Sequence, residues 1–132
     1  MAIQYDGSGI TSTLTAEADL SAKQYFILKQ GAADLGCDLS NATTQPLGVL
    51  TNKPTSGQAA SVVHCGVTQV SAGAAITRGA LLKVDANGQV VTAAIGSGNT
   101  FCTIGKALQS ASGANSVITA LINCLDSGNQ EA

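Results

Sequence analysis

The chain has 132 residues, enough for one domain that buries about two-thirds of the surface its unfolded form exposes. Only 11% of the residues are charged and the net charge is -2, so it has no basic surface with which to neutralise nucleic-acid phosphates. Aromatic residues make up 3%, with no Trp, which leaves few stacking platforms for sugars or single strands.

The opening Met1-Ala2-Ile3-Gln4-Tyr5-Asp6 has neither the positive nor the apolar region of a signal peptide, and no run reaches transmembrane length. Synthesis in the cytoplasm, with neither a membrane nor nucleic acid as partner, is the expectation. Residues Met1 to Ser12 hold Gly7-Ser8-Gly9 and too little apolar content to fold alone. They are expected to form an extended N-terminal arm, either without fixed structure or laid along a strand edge of a neighbouring subunit.

The β domain is expected over residues 13–125. Thr13 to Ala22 alternates weakly, and Glu17 and Asp19 share a face only in an extended chain, which predicts a short strand or turn. Tyr25-Phe26-Ile27-Leu28 is ended by Gln30-Gly31, and Leu35, Cys37 and Leu39 then fall on one face. This predicts a hairpin from Gln24 to Leu39. Ser40 to Gln45 is a polar loop, in which Asn41-Ala42-Thr43 is read as loop sequence and not as a glycosylation site.

From Pro46 to Ala94, short apolar runs alternate with Gly, Pro and Asn, a pattern that predicts a β-meander. Val63, Cys65 and Val67 make one face, expected to be the core side, and Val62, His64 and Gly66 the other. Asn87-Gly88 between Leu81-Leu82-Lys83-Val84 and Val90-Val91 predicts a hairpin reversal, with Asp85 organising its backbone.

Thr92 to Thr100 is expected to be a mobile loop, with a further strand starting at Phe101. Gly105-Lys106-Ala107-Leu108, Ser112-Gly113 and Ser116-Val117 echo Gly48-Val49-Leu50, Ser56-Gly57 and Ser61-Val62, which predicts two related hairpins. The last strand, Ser116 to Leu125, places Ile118, Ala120, Ile122 and Cys124 on one face. Residues 126–132 form a polar tail, expected to be solvated. With no amphipathic helix in the pattern, the fold class is all-β: a small barrel-like or sandwich domain of short antiparallel strands.

Reactive constellations are not found. Cys37, Cys65, Cys102 and Cys124 form no C-x-x-C pair, and His64 and Cys65 point to opposite sides of a strand, so no metal ligands converge. The four cysteines are read as buried thiols on apolar strand faces, with disulfides as the rival. His64 is expected to be an exposed strand histidine without a nucleophile beside it. Asp34, Asp38, Asp85 and Asp126 are scattered into turns, which does not suit paired-carboxylate hydrolysis. Neither Gly7-Ser8-Gly9 nor Gly96-Ser97-Gly98 opens a helix able to hold phosphate, and Lys23, Lys29, Lys53, Arg78, Lys83 and Lys106 stand apart from one another. No catalytic residue, no metal ligand and no cofactor is therefore assigned.

The order Pro46-x-Gly48-Val49-Leu50, Pro54-x-x-Gly57, a Val-rich strand, Gly66, Ser71-Ala72-Gly73-Ala74-Ala75-Ile76, Gly79, Asp85-x-x-Gly88, Ile104-Gly105-x-Ala107-Leu108 and Ser112-x-x-x-Ser116-Val117 resembles the capsid decoration proteins of tailed phages, also called cement or head-stabilising proteins. The resemblance runs from about Leu14 to Asn123, with Ala80 standing where the pattern often has an acid. It implies a non-enzymatic homotrimer that binds the major capsid protein on the outer surface of an assembled virion head. The alternative reading is a small β-barrel module that binds a glycan or another host-surface ligand.

Overall fold

The computed structural model describes residues 9–94, 100–124 and 129–131. The expected arm up to residue 8, residues 95–99 of the expected loop, the start of the tail and the Cys102 side chain lie outside the described residues. The described residues form ten strands: β1 (Ile10–Ala16), β2 (Ile27–Gln30), β3 (Gly36–Leu39), β4 (Gly48–Leu50), β5 (Ala59–Ser71), β6 (Leu81–Val84), β7 (Val90–Thr92), β8 (Thr100–Ala107), β9 (Val117–Asn123) and β10 (Asn129–Glu131). The described residues contain no helix, as the all-β reading required. β1 takes in Ile10, Thr11 and Ser12, which composition had placed in the arm, and β10 pairs with β8 within the stretch read as a solvated tail.

The first five strands close on themselves. β1 pairs with β3, β3 with β2, β2 with β4, β4 with β5, and β5 returns to β1. Closure removes the open edges that a small sheet would otherwise present to other chains. It relies on a parallel contact between β1 and β3, through Thr15 and Gly36, whereas the other described strand pairs are antiparallel. β5 is long enough to leave the barrel and continue as the edge of a second sheet, in the order β5-β9-β8-β6-β7.

Two cores result. Ala16, Leu20, Leu28, Cys37, Leu50, Ala60 and Val62 fill the barrel. Ile27, Val49, Val70, Leu82, Ile104, Ile118 and Ile122 belong to the other core, which packs the outside of the barrel wall against the second sheet. Consecutive side chains of a strand face opposite ways, so Ile27 and Leu28, like Val49 and Leu50, serve different cores. All four are fully buried.

Three expectations are corrected. The stretch from Pro46 to Ala94 is not one meander: β4–β5 and β6–β7 form as local pairs, but β9 and β8 lie between β5 and β6. The buried face of β5 is Ala60, Val62, Thr68 and Val70, while Val63 and Cys65 are half-buried and Val67 is exposed. Valines on both faces made the alternation ambiguous, and His64 and Gly66 disguised the core side as polar. The third concerns Leu35, which lies outside β3 in a turn with its side chain exposed.

Polar side chains fix the turns. The Asp85 carboxylate accepts the Asn87 and Gln89 backbone N–H groups at 2.8 and 3.0 Å, and Gly88 takes the positive φ of the β6–β7 reversal. The buried Gln89 amide donates to the Ser71 hydroxyl, the Ala72 carbonyl and Asn115 Oδ1, joining the ends of β5 and β7 to the turn before β9. Asn41 Oδ1 accepts from Thr43 and Thr44, so the sequon tripeptide is an Asx turn here.

Candidate docking surface

His64 is half-buried and bonded through both ring nitrogens, with Nδ1 2.8 Å from the Leu47 carbonyl and Nε2 2.6 Å from the Ser12 hydroxyl. A carbonyl only accepts, so Nδ1 carries a proton, and Nε2 shares its hydrogen bond with the Ser12 hydroxyl. The imidazole pins β1 and the segment before β4 to β5, and neither nitrogen is left as a base for a substrate. This differs from the exposed histidine expected from its strand position.

Cys37 lies in the barrel core and Cys124 in the other, so the fold keeps these two thiols apart. Burial, then the nearby Glu17 and Asp38 carboxylates, pushes the Cys37 thiol up, and burial, with a smaller effect of Cys65, pushes Cys124 up to about 12. A thiol held protonated is a poor nucleophile and a poor metal ligand. Cys65 is half-buried on β5, and Cys37, Cys65 and Cys124 are all thiols rather than disulfide halves. Among the described residues no three His, Cys, Asp or Glu side chains gather as a metal site.

The surface features lie elsewhere. On the outer face of the second sheet, Val67 pairs with Leu121, Leu121 with Lys106, and Lys106 with Leu81, a lateral row across β5, β9, β8 and β6. Val67, Leu121 and Leu81 are 39%, 47% and 38% exposed. Isolated exposed leucines are ordinary, but neighbouring ones on one sheet face make a candidate contact surface. Beside it runs a groove of about 280 Å³ lined by Leu81, Thr103, Ile104, Lys106, Leu121 and Asn123.

Local backbone chemistry shapes that groove. Opposite Leu82 and Lys83 of β6, β8 offers Gly105 and Thr103, leaving Ile104 as an extra residue in a bulge. The Ile104 side chain turns inward and is fully buried. Gly66 of β5 and Gly105 of β8 flank Ile122 from both sides.

At the barrel end, the Glu17 carboxylate accepts the Ala32 and Ala33 N–H groups, each at 2.9 Å, one on each oxygen. These bonds hold its pKa below the ordinary value, Ala33 contributing most. They anchor a tight 31–36 turn, closed by Gly31 N–H donating to the Gly36 carbonyl at 2.9 Å. At its tip Leu35 has a φ of 57° and is 73% exposed, next to Asp34.

Sequence reasoning missed these surface residues. It had placed Val67 inside and Leu35 on a buried strand face. The inward assignment of Ile118, Ala120, Ile122 and Cys124 did contain the signal for Leu121, since alternation turns Leu121 outward.

A family model described as phage cement protein matches residues 4–123. Among solved structures, the head fiber gp8.5 N base of bacteriophage phi29 is similar, with 21% identity and a TM-score of 0.67 over 87% of this chain and 94% of that one. At that identity the likeness is one of fold. No curated protein matches the chain.

Proposed function

The chain belongs to the phage cement protein family, whose work is decorating and stabilising the phage head, and from that premise we propose that it clamps adjoining major capsid protein subunits from outside the assembled shell. In this reading it acts as a homotrimer and catalyses no reaction. It is made in the host bacterial cytoplasm and ends on the outer virion surface.

The observation that carries the reading is the family match over residues 4–123, nearly the whole chain. The shape of the molecule supports it. Two fused cores make a body that need not rearrange to bind. In this reading the residues before β1 serve as an arm for strand contacts with a neighbour. Three arms engaged at once raise the avidity of a modest single contact by about 10² to 10⁴-fold.

Mixing the purified protein with undecorated heads and sedimenting them tests the proposal. Saturable co-sedimentation, with heads that withstand higher temperature, is expected. Protein that stays in the supernatant at every concentration overturns it. Removing residues 1–8 spares β1, so loss of binding by this truncation, with its own melting temperature unchanged, assigns the loss to the arm.

A further inference from the structure

Leu35 is costly where it stands. A side chain with a β-carbon is disfavoured in the left-handed region by about 1–2 kcal/mol, and a large apolar group in water gains nothing in return. Gly36 is the next residue, yet the positive φ falls on Leu35. Strain held in place by its surroundings is a pointer to use. Here the surroundings are the two bonds that Ala32 and Ala33 donate to Glu17, which fix the turn and present Leu35 and Asp34 together as a tip.

The groove beside β8 and β9 has the complementary character. The Leu81 and Leu121 side chains supply its apolar lining, and Lys106 supplies a cation at its rim. A cavity of about 150 Å³ already takes a benzene-sized group, so a groove of about 280 Å³ has room for a leucine side chain. Asp34 beside the knob and Lys106 beside the hole have opposite charges, which sets the register of docking.

We infer that the Leu35 tip of one copy of this chain seats in the Leu81–Leu121 groove of the next copy, with Asp34 facing Lys106. Knob and hole lie on different lobes, one between β2 and β3 and the other on β8 and β9. The contact is therefore head-to-tail and closes into a ring when the rotation between copies allows. The inference rests on the homotrimer reading above and gives that trimer its mating surfaces.

Sedimentation equilibrium of the whole chain, with Asp34→Lys, Lys106→Glu, Leu35→Asp and the double variant Asp34→Lys/Lys106→Glu, tests it. Wild type is expected to form a closed oligomer. Leu35→Asp is expected to weaken association by about 30-fold or more, as loss of a central anchor does. Each single charge reversal weakens it by about tenfold, and the double variant restores it. All three positions are exposed, and melting curves no lower than that of wild type separate loss of association from loss of fold.

A monomeric wild type, or variants that associate like wild type, overturns the inference. Head sedimentation run in parallel keeps the two readings distinct. A monomer that still binds heads sinks the ring and leaves decoration standing, whereas a ring that ignores heads upholds the ring and sinks decoration. If Leu35→Asp abolishes head binding without changing association, the tip belongs to the shell contact and the inference fails.

Discussion

Gly105 of β8 lies so close to Leu121 of β9 that a β-carbon at position 105 would overlap the Leu121 carbonyl oxygen. Both strands are central in the second sheet, so neither can move aside without disturbing β5 or β6. Gly105→Ala is therefore expected to lower stability by about 2–3 kcal/mol, the scale of a strained backbone position that the fold must absorb. Gly113→Ala is the control, because a β-carbon there meets nothing. It should stay within about 0.5 kcal/mol of wild type. Urea midpoints for the pair measure the contrast, and equal midpoints would remove the close approach as a structural constraint.

Ile27 and Leu28 give the second prediction. A strand on a single core buries every other side chain and leaves the rest to water, so one of two neighbours should tolerate truncation. β2 has a core on each side. Ile27→Ala and Leu28→Ala are each expected to cost about 2–5 kcal/mol, the range for hollowing a packed interior. Denaturant unfolding of the two variants decides it: a near-neutral effect at either position would mean that the barrel wall is not shared.

These same residues mark how far the sequence could be read. Local signals were legible: Asp85 and Gly88 make the expected reversal, and the echo of Gly48 to Val62 in Gly105 to Val117 corresponds to two antiparallel pairs, β4–β5 and β8–β9. The inward face of β9 also falls where alternation placed it, with Ile118, Ala120, Ile122 and Cys124 buried. What failed depends on partners distant in the chain. Alternation gives β5 two faces but cannot say which one the second sheet will cover, and nothing local tells β6 to pair with β8 instead of β5. The docking row has the same limit. Val67, Leu121, Lys106 and Leu81 come from four strands and become one surface only once the sheet order is known. Leu35 was misplaced because a strand pattern was extended one residue into a turn fixed by Glu17, 18 residues earlier in the chain.

That fixing role of Glu17 leads to a pH prediction. The carboxylate accepts two backbone N–H groups, and these bonds favour its charged form, holding the folded pKa below the ordinary 4.5. The unfolded chain has no such bonds and binds the proton more readily. The stabilisation is therefore fully present above about pH 4.5 and is lost as the pH falls through the lower folded value. Glu17→Gln keeps one acceptor and loses the charge, so it should melt below wild type at pH 7 and approach it as the solution is acidified below pH 4. Hydrogen exchange at Ala32 and Ala33 gives the local reading, with faster exchange expected in the variant at pH 7. Because the turn presents Leu35, the same substitution should also loosen association between copies without touching the tip or the groove. Parallel wild-type and variant melting curves across this range would show that the carboxylate contributes no charge-dependent hold on the turn.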